Sequence, residues 1–169
     1  MENKKLIIIR ISSFILSLII MGFIFSMSAQ DSQTSSNTSR GLIETVIRLL
    51  DKNFTQLSEI EQQEYVGHFQ FIVRKLAHFS IFFLLGCTLS IGMQTFLNIN
   101  IFKRTLTAFL FGVFYAITDE IHQIFVPGRS CELRDVLIDS SGVLLGCIIT
   151  MVLFYLWKRK YIIKNKAVV

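Results

Sequence analysis

The chain has 169 residues, of which 52% are hydrophobic and 17% charged, against roughly 45–50% and about 25% in a soluble domain. Lys and Arg outnumber Asp and Glu by 17 to 12, a net charge of +5, and there are one Pro and nine Gly. This balance excludes a disordered chain, a soluble enzyme and a nucleic-acid-binding domain, and the scarcity of turn formers excludes a large all-β domain.

A hydrocarbon core about 30 Å thick needs about 20 consecutive apolar residues at 1.5 Å each. Four stretches meet that need. The first covers 6–27, is interrupted only by Arg10, and follows Lys4 and Lys5. Its basic start and the small residues Ser26, Ser28 and Ala29 also fit a cleaved signal peptide. The uncharged run from Ile11 to Met27 is 17 residues, longer than the usual apolar region of a signal, so an uncleaved first span is expected.

Residues 28–74 form a polar interval that opens with an exposed linker from Gln30 to Asn37. Leu42, Val46, Leu49 and Leu50, with Ile43 and Ile47 beside them, repeat at helical spacing, while Glu44, Arg48 and Asp51 take the other face. That pattern predicts a short amphipathic, interfacial helix. Ser58 and Glu61 have the spacing of a capping box. Ile60, Val66, Phe69 and Val73 then continue a helical pattern into the second span, 76–97.

The third span opens after Lys103-Arg104, at Thr105, and meets Asp119-Glu120 after only 14 residues. Fourteen residues do not cross a bilayer, so the expected span is 105–126, which places two acids near one end. Pro127-Gly128 supplies a stop and a turn. The fourth span, 136–157, carries Asp139 in its first turns and ends in Lys158-Arg159-Lys160. Cys87 and Cys147 lie in apolar stretches and Cys131 in a polar loop, so no structural disulfide, zinc ribbon or redox motif is expected.

Ten Lys and Arg flank the spans on one side, from Lys4 to Lys166, against seven on the other, most of them diluted in the long loop. The positive-inside rule then puts both termini in the cytoplasm and the 28–74 and 127–135 loops outside. Every ionisable residue at membrane depth falls at the outer end of its helix. These are His78, Asp119, Glu120, His122 and Asp139, with Arg74, Lys75, Arg129, Arg134 and Asp135 just beyond. A charge at mid-membrane costs roughly 2.5–3.5 kcal/mol on insertion scales, so such groups face an interior or watery cavity. Arg74, His78, Phe82 and Gly86 share one stripe. Gly112, Ala116, Asp119 and Gln123 share a second, and Asp135, Asp139, Gly142 and Gly146 a third. The three faces are expected to converge on a polar pocket that opens outward.

Arg74-Lys75-Leu76-Ala77-His78-Phe79 with Phe82 and Gly86, the string Asp119-Glu120-Ile121-His122-Gln123-Ile124-Phe125-Val126-Pro127-Gly128-Arg129, and Arg134-Asp135-Val136-Leu137-Ile138-Asp139 with Gly142 and Gly146 together resemble the VanZ-like family. Phe25-Ser26 and Gln30 resemble that family's early motif. The resemblance covers residues 25–146 and implies an integral membrane protein of the bacterial cell envelope. The family is named for a member associated with resistance to the glycopeptide teicoplanin, so lowered susceptibility to such antibiotics is the function it implies.

The residues themselves leave the chemistry open. His78 is read either as a polar plug between helices or as an acid–base group. Arg74 and Lys75 disfavour its protonation and a converging carboxylate favours it. Asp119 and His122 are candidate ligands for a divalent metal, with Asp135 or Asp139 as a third, although the Asp-x-x-His spacing is common by chance. Asp119 and Glu120 differ by about 100° around a helix, and Asp119, on the stripe with Gly112 and Ala116, is the one expected in the pocket. Arg129 and Arg134 either pin the loop to neighbouring acids or form a fork for phosphate or carboxylate. Arg74, Lys75, Glu120, Gln123, Arg129, Arg134 and Asp135 are the candidate ligand-binding residues, and His78, Asp119, His122 and Asp139 the candidate catalytic ones.

The expected architecture is all-α, a single membrane domain with four transmembrane helices and an extracytoplasmic amphipathic segment between the first two. One reading is a binding module for a lipid headgroup, a lipid-linked wall precursor or the glycopeptide. The other is a small membrane enzyme doing acid–base or metal-assisted chemistry on a polar lipid. Apart from that candidate metal, no cofactor is expected. Polar groups at one end only argue against a transport path.

Overall fold

The computed structural model describes residues 4–30, 40, 41, 43–49, 51 and 53–166, with 161–166 described by backbone alone. The polar linker residues from Asp31 to Asn37, and Leu42 and Leu50, lie outside the described residues. Four long helices dominate: α1 (Lys4–Ser28), α2 (Glu59–Gln94), α3 (Ile101–Gln123) and α4 (Leu133–Lys166). Each is long and apolar enough to cross a membrane. In the most apolar window of each, only 22–33% of residues are buried within the bundle. The outward surface is correspondingly apolar, as at Phe102, Leu110, Phe111 and Phe114 along α3.

The helix ends follow from local chemistry. Ser58 caps α2 with a full capping box: its Oγ accepts from the Glu61 N–H at 3.4 Å, and the Ser58 N–H donates to Glu61 Oε2 at 2.9 Å. At α3 the Asn100 side chain accepts from the Phe102 N–H at 2.8 Å. The Glu61 and Phe102 N–H groups would otherwise be orphaned in the first turns. The helix starts at Ile101, so Lys103 and Arg104 belong to its first turn rather than to a loop. Arg104 is buried there and donates from Nη1 to the Gln94 carbonyl at 2.7 Å. The other end of α3 stops at Gln123, three residues short of the expected span. The chain turns through 124–128, where Gly128 takes a φ of 74°.

The 36 residues of α2 give a helix about 54 Å long, well beyond a hydrocarbon core of about 30 Å. Residues 59–74, which the sequence placed before the second span with a helical pattern, are its first turns. Ile43 and Ile47 of the preceding helical segment bury against Phe54 and Val66, with Leu57 and Tyr65 alongside. Val46 and Leu49 of the same segment remain exposed. The buried face is therefore the Ile43–Ile47 edge, because the projecting start of α2 covers that side.

The most extensive packing joins α2 to α4. Its cause is small residues. A side chain placed on Gly142 would strike the Phe79 carbonyl and come within 3.1 Å of the Phe83 N–H nitrogen. One placed on Gly146 would strike the Phe83 carbonyl and reach 2.8 Å from the Cys87 nitrogen. The Gly142-x-x-x-Gly146 spacing thus brings two backbones into contact, as such motifs do in membranes. Phe82, Leu85, Ala108, Ala116, Val143 and Cys147 fill the core, with Ile24 from α1. Polar links tie α1 in: Ser17 Oγ donates to Thr88 Oγ1 at 2.9 Å, Tyr115 Oη to the Met21 carbonyl at 2.6 Å, and Arg10 Nε to Thr95 Oγ1 at 2.8 Å. All three cysteines are free thiols.

Candidate functional site

The three sequence stripes fold inward. On α2 Phe82 and Gly86 are buried below a partly exposed His78; on α3 Gly112, Ala116, Asp119 and Gln123 are all buried; on α4 Asp139, Gly142 and Gly146 are buried below Asp135. Gly142 sits against the Phe79 carbonyl, next in sequence to His78 and less than one turn from Asp139. The close contact that glycine permits therefore delivers the imidazole and the carboxylate to the same place. One ligand atom each from His78, Asp119 and Asp139 lies within 4.8 Å of the other two.

These groups are deeply enclosed. Asp139 is fully buried and Asp119 is 3% exposed. Ser28 Oγ, at the end of α1, donates to Asp119 Oδ2 at 2.9 Å, and Gln123 Nε2 donates to the same oxygen at 3.1 Å. Asp119 Oδ1 and both carboxylate oxygens of Asp139 have no hydrogen-bond partner among the described residues. His78 Nδ1 stands 3.6 Å from Asp139 Oδ2, within ion-pair range but too long for a hydrogen bond. Two ionised carboxylates within 4.8 Å of each other would repel by about 3.5 kcal/mol or more at an effective dielectric near 20. That repulsion is relieved when one carboxylate takes a proton or when a positive charge stands between the two.

Above the triad lies a cavity of about 60 Å³, lined by Arg74, Lys75, His78, Gln123 and Arg129 and by the acids Glu132 and Asp135. The 124–132 turn roofs it. Arg129 holds that roof to the end of α1: Nε donates to the Gln30 carbonyl at 3.0 Å, Nη2 to the Met27 carbonyl at 3.4 Å and Nη1 to Gln123 Oε1 at 3.4 Å. Glu120, 1% exposed, accepts from the Glu132 N–H at 3.0 Å and pins the other side of the turn. Lys75 pairs with Asp135. Arg134 pairs with Glu132 at 3.0 Å on the surface and does not line the cavity. Arg74 makes no ion pair among the described residues.

The sequence-derived site residues thus divide. His78, Asp119 and Asp139 converge, with Gln123 and the cavity cations around them. His122 does not join them: its ring stacks on Phe25 of α1 with centroids 4.3 Å apart, and its Nε2 is buried without a hydrogen-bond partner among the described residues. The Asp119–His122 pair considered from spacing is replaced by Asp119 with groups from two other helices. Helix α1 is the part that the stripes missed. Ser28, Met27 and Gln30 all contact the site, and the signal for it was present in Phe25-Ser26 and Gln30, the segment read as an early motif.

The VanZ/LLP1 family model matches residues 13–156. The chain belongs to that family. The match takes in the triad, the cavity and the parts of all four helices that build them. No match appears among curated proteins or among solved structures. As a VanZ/LLP1 protein with four membrane-length helices, the chain is a multi-pass membrane protein.

Proposed function

We propose that this VanZ/LLP1 protein binds the phosphate of a polar lipid, either a membrane lipid headgroup or a lipid-linked wall precursor, in the cavity beneath the 124–132 turn. Through that binding it lowers susceptibility to glycopeptides of the teicoplanin type. The observation that carries the reading is the cavity lining, where Arg74, Lys75 and Arg129 meet at the end of membrane-length helices. Guanidinium and ammonium groups suit phosphate, and lipid phosphates lie at the depth of helix ends. Size narrows the ligand. About 60 Å³ accommodates roughly four water-sized groups, far below the ~300–1,000 Å³ of a drug-sized pocket. A phosphate fits, whereas an intact glycopeptide does not. The distribution of Lys and Arg turns the cavity towards the cell exterior in this reading.

A second reading, a membrane enzyme acting on the same lipid, is favoured by the unpartnered carboxylate oxygens of Asp119 and Asp139, which cluster with His78 of the cavity lining. One experiment bears on both. In a glycopeptide-susceptible bacterial host, the wild-type chain is expected to raise the inhibitory concentration of teicoplanin, and Arg74→Ala to abolish the effect at equal membrane abundance. Asp139→Asn removes the effect while lipid stays bound if the protein is an enzyme. An unchanged inhibitory concentration with the wild-type chain, or full activity of Arg74→Ala, would contradict the proposal.

A further inference from the structure

We propose that His78, Asp119 and Asp139 form a binding site for one first-row divalent metal ion, with a coordination position open to the cavity. The inference goes beyond phosphate binding, and its ligands are these three residues.

Ligand geometry is the first support. Ions of this class bind imidazole nitrogen and carboxylate oxygen at about 2.0–2.2 Å, so no two ligand atoms of one ion are more than about 4.4 Å apart. The three ligand atoms here, one from each of three helices, already lie within 4.8 Å of one another. A closure of a few tenths of an ångström suffices.

The second support is independent of the clustering. Asp139 is fully buried, yet neither of its carboxylate oxygens has a hydrogen-bond partner among the described residues, and the ion-pair contact of Oδ2 with His78 Nδ1, at 3.6 Å, leaves Oδ1 without a partner there. Buried carboxylates are ordinarily hydrogen-bonded, paired or bound to metal. Asp119 shows a sharper version of the same pattern. Ser28 and Gln123 both donate to Oδ2, and Oδ1 is left unpartnered. One oxygen is thus fixed by outer hydrogen bonds while the other is presented, the usual arrangement of a ligating carboxylate with its supporting shell.

Charge gives a third. At this end of the bundle the carboxylates of Asp119, Glu120, Glu132, Asp135 and Asp139 outnumber the cations Arg74, Lys75, Arg129 and Arg134. This excess of acids weakens the pull on a phosphate. A divalent ion reverses the balance and adds a Lewis acid that an anion in the cavity can reach, since His78 borders that cavity. Imidazole with two carboxylates suits Zn²⁺, Mn²⁺, Fe²⁺ or Co²⁺ better than Ca²⁺ or Mg²⁺.

The test is titration of the chelator-treated, full-length protein in detergent with Co²⁺, followed by visible absorbance and competition with Zn²⁺. One Co²⁺ per chain is expected, displaced by Zn²⁺ and not by Mg²⁺. Ser28→Ala should weaken binding roughly 10-fold, the scale of an outer-shell partner. His78→Ala and Asp139→Asn should weaken it further, while His122→Ala, outside the triad, should leave it unchanged. Thermal unfolding of the wild-type protein with and without Zn²⁺ provides a readout that needs no variant, and a rise in Tm is expected. No saturable Co²⁺ binding by the folded wild-type protein, or equal binding by His78→Ala and Asp139→Asn, would overturn the site and leave His78 and Asp139 as a structural ion pair.

Discussion

Asp119 and Glu120 are adjacent, and both are buried, by different means. Asp119 lies on the small-residue stripe and meets α1, α2 and α4. Glu120 points about 100° away and is enclosed only because the 124–132 turn folds back and gives it the Glu132 N–H. Helical periodicity predicts the first and has no access to the second, since the second depends on where a loop lands. The same limit applies to His122. Spacing places it near Asp119, but its partner is Phe25, almost a hundred residues earlier. Cys131 reports on this corner. Its thiol is held above the ordinary range, by desolvation first and then by the Glu120 and Asp135 carboxylates. A raised thiol holds less reactive thiolate at neutral pH. Labelling by a membrane-impermeant maleimide on intact cells is therefore expected to be slow near neutrality and to accelerate with pH beyond the usual thiol range. Glu120→Gln, which keeps a hydrogen-bond acceptor but removes a charge, should speed it at neutral pH. Labelling of equal rate in both proteins would contradict this electrostatic account, and labelling only after permeabilisation would reverse the proposed orientation.

The helices were legible as elements because each has a simple physical signature. Length and lack of charge mark the spans, Ser58-x-x-Glu61 marks a start, and Pro127-Gly128 marks a stop. Their ends moved where side chains found unforeseen partners. Arg104 is part of α3, where Gln94 offers it a carbonyl, whereas α2 begins where Ser58 and Glu61 mark it, its projecting turns held by the Phe54–Val66 cluster. The Gly142–Gly146 face was legible as a contact, and the structure names its partner, the backbone of Phe79, Phe83 and Cys87. Adding one methyl group at Gly146 must push α2 from α4. Gly146→Ala is expected to destabilise the detergent-solubilised protein by about 1–3 kcal/mol, the usual cost of overpacking. Gly22→Ala, with nothing within 4 Å of the added carbon, should be neutral or slightly stabilising. Thermal unfolding of both variants checks the pair, and equal stability of Gly146→Ala and the wild-type protein would contradict the close backbone contact.

Over the whole molecule, polar chemistry is segregated. The most apolar stretches face outward, one core of Phe82 with aliphatic and small residues joins the four helices, and the His78–Asp119–Asp139 group with its cavity occupies one end. The scarcity of charge that marked the chain as a membrane protein also made the few charges informative, because each one at membrane depth needs a partner. The sequence revealed which three helices carry them. Only the Phe25-Ser26 and Gln30 motif hinted that α1 completes the site, because Ser28 acts through a single hydroxyl and Met27 and Gln30 act through backbone carbonyls, which leave no compositional trace. The most direct measurement is native mass spectrometry of the protein released from bacterial membranes, wild type beside Arg74→Ala. The wild-type chain should retain one phosphate-bearing lipid through collisional activation that strips bulk detergent and lipid, and Arg74→Ala should lose it. A wild-type chain that emerges free of lipid, or an Arg74→Ala chain that holds the same lipid as firmly, would contradict a phosphate-binding cavity.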